Sequence, residues 1–182
     1  MVLLRTGIWE IDEIIGLDKV VGFKFEDVVL MRIFYHRTIV ESAPVSLLLV
    51  GDARIDPYLL NTFSRIMDKE VEDQVKVRRA FKKEDVVPAI DSFAGDLIIV
   101  NPYLYGCSIY SSLMKRKGRT FLFFIEEKTY LRAESSIIEL KRERKGNVSV
   151  KVRKSPLRPD LEMKFPTYLL YCKEEPGLAK WL

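Results

Sequence analysis

The chain has 182 residues, of which 48% are hydrophobic and 31% charged, with a formal net charge of +4. This length suits one domain with a substantial core and is short for two, and the composition excludes a disordered or collagen-like chain. The apolar run over 28–35 is broken by Arg32, so nothing reaches the roughly eighteen apolar residues of a membrane helix.

In chain order, apolar residues at 8, 11, 14 and 15 predict a helix over 8–15, ended by Gly16. A strand is predicted over 19–25 and a densely apolar helix over 26–40. A continuous apolar strand over 46–50 ends at Gly51-Asp52. Asp56 before Pro57 is the signature of an N-cap and first helical position, which predicts a helix over Pro57–Met67. There follow a short strand over 75–79, a helix over 83–93 that contains Pro88, a buried strand over 96–100, and a helix over 108–117 ended by Gly118. A strand over 120–125 precedes a hairpin, 136–141 with 148–153, turning at Lys145-Gly146-Asn147. The proline-rich stretch 155–166 reads as loop and 167–172 as a last strand. Short apolar runs alternating with longer amphipathic ones predict an α/β domain with a mainly parallel sheet.

Residues 1–5 are too short for a secretory signal, and the expectation is a cytoplasmic protein. Cys107 and Cys172 lack the spacing of a zinc or redox motif and read as free thiols. Abundant Lys, Arg and Glu beside the single Gln74 is compatible with a thermophilic source. Charge is uneven: residues 115–154 carry +8, residues 155–182 are neutral and residues 1–114 carry −4. His36, the one histidine, has no Ser or Cys motif beside it and reads as structural. Asp12 and Glu13 read as a solvated helix face. Asp68, Glu70, Glu72 and Asp73 lack the central Gly and terminal Glu of a calcium loop.

Thr6-Gly7-Ile8-Trp9-Glu10-Ile11-Asp12-Glu13-Ile14-Ile15-Gly16 resembles the entry to the ATPase core of the RecA/RadA/KaiC family. Residues 47–57 resemble its second core strand and place Asp52 where the family has its catalytic Glu. Residues 77–81 resemble its apolar-x-Arg-Ala-Phe strand. Residues 96–102 resemble the Walker B strand, with Asn101 in place of the metal-supporting Asp. Residues 121–125 with the hairpin resemble the β-rich end of the core. The resemblance covers about residues 5–170 and implies a single RecA-like domain over 1–182: a mainly parallel sheet flanked by helices, with a C-terminal β-hairpin.

It breaks at the phosphate loop, which needs glycine amides around the phosphates, then Lys and Ser or Thr. Phe23, Lys24, Phe25, Glu26 and Asp27 stand there instead. The two carboxylates compete with phosphate for a helix N-terminus, Asn101 is neutral where a metal site wants an anion, and Asp52 is a methylene shorter than Glu. A degenerate nucleotide site made of these seven residues is expected, with no catalytic residue, metal or cofactor.

A non-catalytic RadA/RecA-like paralogue, serving recombination or repair as an accessory or mediator subunit, is what the resemblance then implies. Its partners would be a RadA-like recombinase or sibling paralogue, in a homo- or hetero-oligomer, and single-stranded DNA. Tyr103 and Tyr105, then Lys128, Tyr130 and Arg132, lie in loops matching the family's DNA-binding loops. Lys115, Arg116, Lys117, Arg119, Lys141, Arg142, Arg144 and Lys145 make up the basic region, for which a merely solvated basic edge, with the first four complementing a helix end, is the alternative to DNA contact. Phe81, Tyr103 and Tyr105 are expected at a docking surface, a core role for Phe81 being the alternative. The family's Phe-x-x-Ala polymerisation signal does not occur ahead of Thr6. Two other readings stay open: a KaiC-like regulatory or scaffold protein without a nucleic-acid role, and an enzyme rebuilt around Asp52.

Overall fold

A computed structural model describes residues 4–126, 134–156, 158 and 160–173. Its centre is one eight-stranded sheet in the order β3-β2-β4-β5-β1-β6-β7-β8. The strands are β1 (Val20–Phe25), β2 (Val45–Val50), β3 (Val75–Ala80), β4 (Leu97–Val100), β5 (Thr120–Phe124), β6 (Ser136–Arg142), β7 (Asn147–Lys154) and β8 (Glu162–Pro166). All pairings from β3 across to β6 are parallel, and β7 and β8 add antiparallel strands at the far edge. The α/β architecture read from the sequence is therefore the observed one.

Helices α1 (Trp9–Ile15), α2 (Val28–Ser42) and α3 (Pro57–Met67) cover one face, and α4 (Lys83–Asp91) and α5 (Tyr110–Lys115) the other. The sequence explains the layering. Fully buried β2, β4 and β5 are continuous apolar runs, as strands covered on both faces must be. By contrast, β6 and β7 alternate, with Ile138, Leu140, Val148, Val150 and Val152 inward and Glu139, Lys141, Lys151 and Arg153 outward. The Asp56 carboxylate accepts from the amides of Tyr58 and Leu59 and caps α3, as its position before Pro57 predicts.

Two expectations fail at the C-terminal side. Residues 162–166, read as loop, form β8: Met163 and Phe165 alternate with Glu162 and Lys164, and Pro166 is tolerated because it ends an edge strand. Residues Thr167–Tyr171, read as a strand, form a 3₁₀ turn that buries Leu170. Asp12 is also more than a solvated charge. It accepts hydrogen bonds from the Thr6 amide and hydroxyl and from the Gly7 amide, pinning the entry segment to α1, and burial raises its pKa despite these donors.

Arg37, on α2, is the most deeply buried of the arginines and carboxylates among the described residues. It donates to the carbonyls of Leu170 and Cys172 at 2.9 and 2.8 Å and to that of Gly7. The helix thus binds segments from opposite ends of the described chain.

Candidate functional site

In an open α/β sheet, ligands bind beyond the carboxyl ends of the parallel strands. Here that edge holds a cleft of about 260 Å³ lined by Val28, Met31, Arg32 and Tyr35 of α2, by Asp52, Ala53 and Arg54 after β2, and by Val100 and Asn101 at the end of β4. Sequence reasoning brings Asp52 and Asn101 to this place, and the fold puts them in one cleft. It did not find Arg32 and Arg54, whose charges have no ion-pair partner among the described residues.

Only Glu26 and Asp27 separate β1 from α2. The Asp27 carboxylate turns back onto its own helix and accepts from the Val29 amide at 2.7 Å, so an anion already occupies the N-terminus. Asp27 also meets Arg142 at 3.6 Å, and Glu26 meets Lys141 at 2.9 Å. The remaining members of the predicted site disperse. Phe23 and Phe25 are core, packed with Phe34 and Phe123 at ring-centroid separations of 5.1 to 6.2 Å. Lys24 leaves on the opposite face, 3.3 Å from Glu139.

The loop geometry after β2 and β4 is fixed by sterics. Gly51 has φ +69°, and a Cβ there would lie 2.2 Å from the Leu104 side chain. Asn101 also adopts a left-handed φ of 59°, a conformation that Asn tolerates. Behind the cleft, the Tyr35 hydroxyl donates to the Arg54 carbonyl, and burial pushes its pKa up to about 12. His36 is buried: Nδ1 donates to the Arg32 carbonyl at 2.7 Å, while Nε2 accepts from the Asp56 amide at 2.7 Å. Burial lowers its pKa to about 4. The ring is a neutral bracket between α2 and the start of α3.

The predicted DNA-contact residues sort into five groups. Arg116 and Arg119 are buried and lose their candidacy. The first binds the carbonyls of Ile90, Phe93 and Gly95, the second those of Leu4, Ile15 and Asp18. Burial holds both guanidinium pKa values below their usual level. Tyr103 is likewise inside, donating to the Glu134 carboxylate. Lys141 and Arg142 are exposed but paired with Glu26 and Asp27. Lys115, Lys117, Arg144 and Lys145 are exposed. Tyr105 is half-buried, its hydroxyl on the Phe81 carbonyl at 2.7 Å. Lys128, Tyr130 and Arg132 lie outside the described residues.

The outer face of β6 to β8 is therefore a field of ion pairs rather than a basic stripe: Lys151 with Glu162, Arg153 with Glu139 and Lys164 with Glu143. At Glu139, burial acts to raise the pKa, but Arg153 and Lys24 prevail and lower it. No group of three or more His, Cys, Asp or Glu able to hold a metal occurs among the described residues.

One structural pair went unread in the sequence. Glu134 is buried against β1, where Gly22 leaves room for it: a Cβ on Gly22 would lie 2.7 Å from Glu134 Cγ. An unexplained glycine inside an otherwise bulky strand was the available signal.

This arrangement of strands, crevice and flanking helices is the RecA-like fold. The crystal structure of the RadB recombinase superposes with a TM-score of 0.68 over 90% of this chain and 96% of that one, at 13% sequence identity. No protein-family model matches the chain, and no curated protein sequence does. No helix among the described residues is long and apolar enough to cross a membrane.

Proposed function

We propose that this protein is a non-catalytic member of the RecA-like group that acts by docking, as an accessory or mediator subunit in DNA recombination or repair. The observation that carries the reading is the two-residue passage from β1 into a helix already capped by its own Asp27. Such a passage leaves no loop of amides to surround a triphosphate. Asn101 adds no charge for a metal, and Asp52 lies exposed at the rim, where so short a passage offers no cradle that would present a phosphate to it. What persists is the scaffold, and its likeness to a recombinase favours a RecA-like recombinase or sibling subunit as partner.

The test has two arms. Purified protein is titrated with ATP and Mg²⁺ and assayed for hydrolysis, with no binding and no turnover expected. Tight Mg-ATP binding, or turnover abolished by Asp52→Ala, overturns the reading. In the second arm the tagged protein is used to capture partners from native extract. Recovery of a recombinase supports the proposal, and recovery of signalling components alone favours the regulatory-scaffold reading.

A further inference from the structure

The free edge of the sheet carries a feature that the docking proposal does not use. Among the described residues strand β3 pairs only with β2, which leaves its outer edge open. This strand and the start of α4 carry Lys76, Arg78, Arg79, Lys82 and Lys83, all exposed, with Phe81 among them at 61% exposure. Among the described residues none of these five cations lies in an ion pair. At the opposite edge of the same sheet Lys141, Arg142, Lys151, Arg153 and Lys164 are all paired. Carboxylates come only at the ends of the run, Glu72 and Asp73 before it and Glu84 and Asp85 after it.

Local stability does not account for this cluster. Edge strands carry cations that deter self-pairing, but that purpose needs no exposed aromatic ring. Lys82 is the N-cap of α4 and Lys83 its first residue. There the helix dipole disfavours positive charge, the reverse of Lys115 in the last turn of α5. The ring of Phe81 is held outward rather than left loose. The Arg79 guanidinium lies 4.8 Å from its centroid and is itself tethered to the Ala53 carbonyl, while Tyr105 holds the Phe81 carbonyl.

We propose that β3 and the start of α4 bind single-stranded nucleic acid, with Lys76, Arg78, Lys82 and Lys83 on successive phosphates and Phe81 as a platform for an unstacked base. A phosphodiester chain supplies one negative charge per nucleotide, which suits a line of cations along a strand. The base supplies the flat partner that an exposed ring, backed by Arg79, accepts. An acidic peptide would also satisfy the charges, and competition with polyglutamate separates the two occupants.

The probe is a fluorescein-labelled oligo(dT) of about 20 nucleotides, titrated with the full chain at several salt concentrations. Lys76→Ala/Arg78→Ala should weaken binding at least tenfold and reduce the slope of log affinity against log salt by about 1.4, the share of two phosphate contacts. Phe81→Ala should weaken it about tenfold with the slope unchanged. Matched melting curves verify folding of each variant. Failure of the native protein to bind, or loss of binding in Arg144→Ala/Lys145→Ala instead, overturns the proposal. So does polyglutamate displacing the oligonucleotide while Phe81→Ala binds normally, which assigns the edge to an acidic protein. None of these outcomes bears on nucleotide binding or partner capture, which test the docking role separately.

Discussion

Asp27→Ala probes whether the helix terminus in the cleft is closed by its cap or by the shortness of the connection. Losing an N-cap carboxylate costs about 1 kcal/mol. The Arg142 contact at 3.6 Å is solvated and adds at most a few tenths. For a chain of this size each kcal/mol moves the midpoint by about 2–4 °C, so a fall of about 2–5 °C is expected in a thermal melt. The same melts are run with Mg-ATP. If the cap alone excluded phosphate, its removal would open a site, and ligand at about a hundred times its Kd would stabilise the variant by about 2.7 kcal/mol. We expect no nucleotide-dependent rise, because two residues cannot form the cradle. An ATP-dependent increase in the midpoint of either protein would refute this reasoning, and an unchanged midpoint without ligand would refute the capping role.

Three further outcomes are expected. Gly22→Val forces a side chain into the space of Glu134 and Phe124 and should cost about 1–3 kcal/mol in chemical denaturation. His36 has a pKa of about 4 in the folded state, where Arg32 and Asp56 are the charges that act on it, against about 6.5 unfolded. Above pH 6.5 the ring is neutral in both states. As pH falls toward 4 the unfolded chain takes up a proton that the folded one refuses, so stability drops by on the order of 3 kcal/mol. His36→Gln should flatten that part of the pH profile, and an unchanged slope would count against the bracket. Arg37→Met removes the donor from three carbonyls, of which the Leu170 contact is fully buried, and should lower stability by about 3 kcal/mol, read by urea denaturation.

The sheet was legible because each buried strand is a short, largely apolar run and because Asp56-Pro57 marks the start of the crossover helix after β2. Asp52 and Asn101 were legible as cleft residues because each ends a strand whose pattern is unmistakable. Half of the basic region's members were misplaced for a physical reason: sequence counts charges but does not pair or bury them. Arg116 and Arg119 follow α5 as an apparent surface cluster, yet they are buried against carbonyls of distant segments, and Lys141 and Arg142 meet carboxylates more than a hundred residues away. The 76–83 cluster was hidden by the acidic stretches around it, which cancel it in any long window. The turn at 167–171 was missed because its apolar and aromatic residues suit a strand equally well, and only the Leu170 carbonyl facing Arg37 distinguishes them.

The Arg37 contacts to Leu170 and Cys172 join positions 133 and 135 residues apart. A nascent polypeptide carrying α2 out of the ribosome therefore has a guanidinium with no acceptors from the distal segment until residue 172 has emerged. The centre of the sheet can assemble during synthesis, but final seating of this helix is a late event, and a chaperone that shields its apolar surface in the interval would act at the step where the fold is most exposed to aggregation.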